Sequence, residues 1–342
     1  MAPSTGSYSP ESWEYARGYA GLLGQPPSSF STVIRGLVQD HLAKREFCSG
    51  NPKYFLLRLL KSRSLLAPMH AALCAFDPDE FTKDTKANPE EIVKTFTTFE
   101  LAYMLALVYL ARKAKHICDP DEWEILSKLL NQSANAGYLA GRAIPPIGST
   151  IGLMEGSIRF LGLSTFLKHD MKGFKDYRRE VKKKGGDWEE LTEYEKWGCN
   201  SLQIASVLIQ SMGFGIPCAN AYINAFSIQG EVGDLATVEK MKQFKMSSVW
   251  RNLMLAGISD PKFPLPAKFY PDKGVLTAAM ELFKNLESDP ALGFWLDKTK
   301  DDLPEDGVLT PTASSAGAPA LDGEISAEEM DHMIEEADEA LV

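Results

Sequence analysis

Apolar side chains recur along most of this chain every three or four residues, which is the spacing of an α-helix. The stretch containing Val33, Ile34 and Leu37 is typical, since these side chains fall on one helical face. A proline followed by two acids marks helix starts at 88–91 and 119–122, where the acids lie near the positive end of the helix dipole. No run alternates between apolar and polar residues as a strand would. The pattern therefore predicts an all-α fold, a multi-helix bundle.

Composition divides this helical pattern into four predicted segments. Residues 1–24 form an N-terminal extension with a short helix, and residues 25–297 form the helical domain. Residues 298–323 are rich in proline, alanine, serine, threonine and glycine, which is typical of a flexible linker. Residues 324–342 follow as an acidic amphipathic helix. The sequence thus predicts one folded domain with a tethered C-terminal helix.

The C-terminal helix begins with a capping box, in which Ser326 is the N-cap and Glu329 reaches back to it. Its apolar side chains form one stripe, and acids fill the other faces. The stripe consists of Met330, Met333, Ile334, Ala337 and Leu341. We expect this helix to fold into an apolar groove on a protein partner. The alternative is a disordered tail that only increases solubility.

The acidic tail also accounts for most of the net charge. From Asp322 onward there are nine acidic residues and no lysine or arginine, so the formal charge of −10 leaves the body near neutral. A near-neutral body argues against a nucleic-acid-binding protein. One basic segment, residues 178–184, is interrupted by Glu180 and is predicted to be a solvated helix face, with docking of the acidic tail as a further option.

Hydropathy and cysteine content narrow the cellular setting. No apolar run approaches the roughly 18 residues that span a bilayer, so we expect no membrane segment. The five cysteines are scattered and form no Cys-x-x-Cys pair, which argues against a disulfide framework and a zinc ribbon. We therefore expect a reduced, cytoplasmic protein.

Two stretches in the middle of the chain carry a recognisable pattern. Residues 155–162 read Glu-Gly-Ser-Ile-Arg-Phe-Leu-Gly, and residues 198–205 read Gly-Cys-Asn-Ser-Leu-Gln-Ile-Ala. They resemble the two motifs of the HD-related output domain (HDOD) family, roughly Ala-Gly-Leu-Leu-His-Asp-Ile-Gly and Gly-Phe-Asp-His-x-x-Val-Gly. Both the order and the separation of the stretches suit that family. The resemblance implies a bundle of the HD-phosphohydrolase type over about residues 90–230.

The resemblance also implies that a metal site has been lost. Arg159 and Phe160 stand in place of the His-Asp pair, and Ser201 stands in place of the second histidine. A guanidinium repels a divalent cation, and a phenyl ring offers it no donor atom. With Glu155 and Asn200, these positions form a degenerate site that we expect to contact a ligand or partner. The chain is then a non-catalytic signalling or regulatory protein that binds a protein partner and needs no metal or other cofactor.

A second hypothesis keeps the former metal pocket as a binding site for a small anion. Arg159 would then contact a phosphate group. This requires the Arg159 side chain to face a cavity. The simpler expectation is a local ion pair with Glu155, which lies one helical turn away.

A third hypothesis uses the literal His-Asp dipeptide at His169 and Asp170. With His116 and Asp234 as further ligands, the chain would be a divergent divalent-metal phosphohydrolase acting on a nucleotide. The flanking glycines and apolar residues fit 155–162 better. A His-Asp pair on the surface at a helix end is the simpler interpretation of so short a motif.

Overall fold

The computed structural model describes residues 8–82, 84–185, 188–226 and 235–303. These residues form helices and turns without strands, which confirms the all-α prediction. None of the helices in the described ranges is both long enough and apolar enough to cross a lipid bilayer.

In chain order, the α-helices are α1 (Pro10–Gly21), α2 (Ser28–Leu42), α3 (Gly50–Leu59), α4 (Arg63–Phe76), α5 (Pro89–Thr95), α6 (Thr98–Ile117), α7 (Pro120–Ala143), α8 (Ser149–His169), α9 (Met171–Lys183), α10 (Glu190–Trp197), α11 (Ser201–Ile209), α12 (Ile216–Phe226), α13 (Leu235–Leu255), α14 (Lys273–Ser288) and α15 (Pro290–Gly293). A π-helical turn, Gln210–Phe214, follows α11, and short 3₁₀ turns follow α13 and α15.

The chain folds into two compact units. Of the described residues, 8–25 and 113–287 form the first unit, and 26–112 and 288–303 form the second. The helical domain predicted over 25–297 includes residues of both units. Helical spacing indicates which residues are buried but not which other helices bury them.

The second unit packs around α4, whose side chains are buried along nearly its whole length. Ser62 caps this helix by accepting a hydrogen bond from a backbone N–H of its first turn. Later in the chain, Trp295 packs edge-on against Phe76, with 5.9 Å between the ring centroids. Arg112 donates to the carbonyl oxygens of Ser64 and Lys298. These contacts fasten the returning C-terminal segment to α4.

The first unit is built on α7 and α8, which run antiparallel in close contact. Gly137 and Gly141 face Gly152 and Gly156 across the contact, and a Cβ atom at any of the four would meet backbone atoms on the other side. Gly148 precedes α8 with a φ of 84°, a conformation that glycine adopts without strain. The glycines therefore set how near the two helices come.

The helix α8 lies at the centre of the first unit. Of its 21 residues, 17 are buried, so it has no polar face, and α11 and α13 pack against its other sides. A capping box of Asn200 and Gln203 starts α11. Gln203 also donates to Ser12 Oγ at 3.0 Å, which joins α11 to α1.

Candidate functional site

Arg159 connects the two stretches that the sequence placed at one site. Its Nε donates a hydrogen bond to Ser201 Oγ at 2.9 Å. Its Nη2 donates to the carbonyl oxygen of Trp188 at 3.1 Å and lies 3.4 Å from Glu193 Oε1. Because Ser201 begins α11 and Glu193 lies in α10, the guanidinium ties both helices to α8.

Glu193 is the anion at the centre of this network, and it is not among the site residues predicted from the sequence. Its fully buried carboxylate accepts from the backbone N–H of Ser201 at 2.6 Å and from the Tyr177 hydroxyl at 2.8 Å. Burial, with the charge of Glu193, raises the pKa of Tyr177, so the hydroxyl keeps its proton. The neighbouring acids in and beside this short helix are partly buried or exposed, and no sequence signal separates Glu193 from them.

Glu155 pairs with Arg251, so the local ion pair expected between Glu155 and Arg159 is wrong. Arg251 Nη1 lies 3.3 Å from Glu155 Oε1 and donates to Ser133 Oγ at 3.0 Å. The Arg159 side chain is held instead by its partners near and within α10 and α11. Burial raises the pKa of the Glu155 carboxyl, and the positive charge of Arg251 opposes that shift.

Asn200 supports the site from within the fold. Its Oδ1 accepts from the backbone N–H of Gln203 at 2.9 Å, and its Nδ2 donates to the Tyr8 hydroxyl at 3.0 Å and to Glu190 Oε2 at 3.3 Å. Both Asn200 and Ser201 are buried. Their hydrogen bonds position the start of α11 and, through Ser201, the side chain of Arg159.

Glu155, Arg159 and Phe160 line a cavity of about 1040 Å³ that lies within the first unit. Its volume is at the upper end of the range found for small-molecule pockets. The buried apolar part of its wall is formed by Phe160, Val181, Leu202 and Tyr222. Trp188 packs edge-on against Phe160, with 6.4 Å between the ring centroids. Arg159 therefore faces a cavity, as the small-ligand hypothesis requires.

The basic segment 178–184 borders the same cavity. Arg178, Arg179 and Lys182 line it. Arg178 Nη2 also lies 2.9 Å from Glu122 Oε2. The predicted docking of the acidic tail on this segment involves residues 324–342, and these lie outside the described residues, as does the apolar stripe of that helix.

The residues of the metal hypothesis have packing and capping roles. His169 packs edge-on against Tyr19, with 5.1 Å between ring centroids, and Asp170 caps α9 through a hydrogen bond of 2.9 Å. His116 is exposed near the end of α6, and Asp234 lies outside the described residues. In the part of the chain that the structure describes, no three His, Cys, Asp or Glu side chains are grouped so that they could hold a metal ion.

Comparison with known proteins adds no family to this geometry. No protein-family model matches the chain, and searches of curated proteins and of solved structures found no match either. The resemblance to the HDOD family therefore stays a prediction from the two sequence motifs.

Proposed function

We propose that this chain is a non-catalytic regulatory protein whose first unit senses a small molecule in the cavity beside Arg159. One observation carries the proposal. Arg159 and Phe160, which occupy the positions where the HDOD-like motif would hold its metal ligands, both line that cavity. A pocket with a cation and an aromatic ring at the positions of the metal ligands is suited to bind a small molecule through ionic and apolar contacts.

The surroundings of Arg159 support a binding role over a catalytic one. Burial lowers the pKa of Arg159, but the charge of Glu193 and those of neighbouring tyrosine and glutamate groups together outweigh this, and the pKa is raised overall. A group that is charged at every physiological pH cannot serve as a general acid or base near neutrality. Its hydrogen bonds to Ser201 and Trp188 also fix the guanidinium before any ligand arrives, which lowers the entropy cost of binding.

Two buried polar atoms in the cavity wall point to a polar group on the ligand. Glu155 Oε2 and Arg251 Nε have no hydrogen-bond partner among the described residues. Leaving a buried polar atom unsatisfied costs about 1–3 kcal/mol. A hydroxyl or amide group placed beside this ion pair would offset part of that cost.

Binding in this cavity would be coupled to the arrangement of the helices. The wall takes residues from seven of them, α7, α8, α9, α10, α11, α12 and α13. A ligand that binds only this arrangement stabilises it by about 2.7 kcal/mol when its concentration is 100 times its dissociation constant. This linkage is the physical basis for a sensing role.

Titration with Nile red, an uncharged dye whose emission shifts to the blue in apolar surroundings, tests the proposal. We expect saturable binding to the full chain. Leu255→Trp, at the exposed edge of the cavity, should weaken binding at least several-fold. Val275→Trp is the matched control, since Val275 is equally accessible and does not line the cavity. Equal binding by the two variants, or no saturable binding by the wild type, would refute the proposal.

The protein partner expected for residues 324–342 is a separate proposal. Its support is the sequence of that segment alone: one apolar stripe with acids on every other face. Such a partner would be the protein to which the first unit transmits the binding of its ligand.

A further inference from the structure

We infer that the cavity ligand is an anionic amphiphile: an apolar chain or ring system carrying one carboxylate, sulfonate or phosphate group. The apolar body would lie against the buried wall, and the anionic group would lie at Arg178 and Lys182. This inference rests on the proposed function, since it names the chemical class of the molecule sensed in the same cavity.

The buried part of the wall favours an apolar ligand body. Phe160, Leu202 and Tyr222 are each less than one-tenth exposed, and all three line the cavity. Moving apolar surface from water onto such a wall is favourable in proportion to the area buried. A small, fully polar anion would leave most of this surface unused.

The charged groups deeper in the cavity wall are already paired. The carboxylate of Glu155 lies beside Arg251, and the guanidinium of Arg159 lies beside Glu193. Each pair combines one positive and one negative charge. Glu190, which is partly buried and also lines the cavity, adds a negative charge, and its carboxylate accepts hydrogen bonds from Tyr8 and Asn200. The deep wall therefore presents no surplus positive charge that would bind an anion.

The exposed part of the wall differs, because its charged side chains are all cationic. They are Lys128, Arg179 and Lys182, and no exposed acid lines the cavity within the described ranges. Lys128 pairs with Glu124, and Arg179 pairs with Asp176. Both ion pairs are on the surface and contribute little to stability, so a ligand anion can replace the acid in either pair. The surplus positive charge therefore lies at the mouth.

Arg178 and Lys182 are the best-placed contacts for the anionic group. They are four residues apart on α9 and so lie on the same helical face. Arg178 Nη1 is buried and has no hydrogen-bond partner among the described residues, although Nη2 is held near Glu122. Lys182 makes no ion pair with any described residue. An oxyanion between the two would receive a charge-assisted hydrogen bond from each.

The test displaces Nile red from the full chain with three amphiphiles that share a dodecyl chain, each kept below its micelle concentration. They are dodecanoate, dodecyltrimethylammonium and dodecanol. We expect dodecanoate to compete about tenfold more strongly than either of the others, as a pair of charge-assisted hydrogen bonds would give. Raising the salt concentration should weaken dodecanoate binding and leave dodecanol binding unchanged.

Two variants assign the charge preference to the mouth. Arg178→Gln combined with Lys182→Gln should weaken dodecanoate about tenfold while Nile red binds as before. Lys183→Gln is the control, since Lys183 is exposed on the same helix and does not line the cavity. Its dodecanoate affinity should equal that of the wild type.

The outcomes separate this inference from the proposed function. If Nile red does not bind, both the proposed function and the inference that rests on it are refuted. If Nile red binds but the three amphiphiles compete equally, or the control variant loses as much as the double variant, only the inference fails. Binding to phosphatidylglycerol vesicles that needs Arg178 and Lys182, without binding of free dodecanoate, would assign the site to a lipid surface and would also overturn it.

Discussion

Replacing Gly152 with alanine should destabilise the first unit, although alanine is the better helix former. A Cβ atom at this position would fall on the carbonyl oxygen of Gly137, 2.8 Å from the carbonyl carbon and 3.2 Å from the Cα atom of Gly141. These are backbone atoms, so no side chain can rotate to make room. The clash is relieved only if α7 and α8 move apart.

The expected magnitude follows from two opposing effects. Overpacking in a core costs about 1–3 kcal/mol, and a contact with rigid backbone belongs at the upper end of that range. Replacing a glycine within a helix by alanine returns about 1 kcal/mol. The net loss of unfolding free energy is then about 2 kcal/mol, or a fall of about 4–8 °C in the melting temperature of a domain this size.

Gly18→Ala is the matched control for this prediction. Gly18 lies in the exposed part of α1, and no atom lies within 4 Å of a Cβ placed there. This change should raise the stability of the same unit by up to about 1 kcal/mol. Urea unfolding followed by circular dichroism measures both variants, and Nile red titration reports whether the cavity has changed. A Gly152→Ala variant as stable as the wild type would refute the close-packing argument.

Glu193→Gln should lower the unfolding free energy by about 3 kcal/mol because it leaves the Arg159 charge without its buried partner. Glu124→Gln, in an exposed pair with Lys128, should change it by less than about 0.5 kcal/mol, and equal losses in urea unfolding would contradict this assignment. Burial raises the pKa of Cys74 and Cys218 to about 11, so at pH 8 only about one such thiol in a thousand is ionised. Ellman's reagent should therefore react only slowly with the folded chain, and it should react with all five cysteines once the chain is unfolded. Rapid reaction before unfolding would show that the thiols are accessible and would contradict this expectation. Ending the chain at residue 320 should abolish capture of the partner that the full chain binds in a pull-down, whereas identical partner sets would leave the tail without a binding role.

The helical class of the fold could be predicted because most helices bury one face, and a buried face leaves a three-to-four-residue spacing in the sequence. In α8, which is buried on nearly all sides, this spacing does not single out one buried face. It also gives no account of the glycines at 137 and 152, since a close contact between two helices depends on both partners at once.

The site could be predicted only in part. The alignment of the two motifs predicted that Arg159 and Ser201 lie at one site, and in the structure Arg159 donates a hydrogen bond to Ser201. Spacing along one helix predicted the wrong partner for Glu155, because its true partner, Arg251, is far away in the sequence. Glu193 was missed since a buried acid and an exposed acid have the same local pattern. Residues that come into contact only through tertiary packing cannot be recognised as partners from a single sequence.

The order of segments within the first unit has a consequence for synthesis on the ribosome. Helix α1 finds its hydrogen-bonding partner in α11, yet residues 26–112, which belong to the other unit, emerge between them. At roughly 5–20 residues per second, α1 must wait many seconds outside the exit tunnel before its docking surface exists. During that time Ala16 and Tyr19, which are buried in the folded protein, meet only solvent or chaperones. A nascent chain arrested before residue 201 should thus expose α1 to proteolysis, and one arrested well beyond it should not.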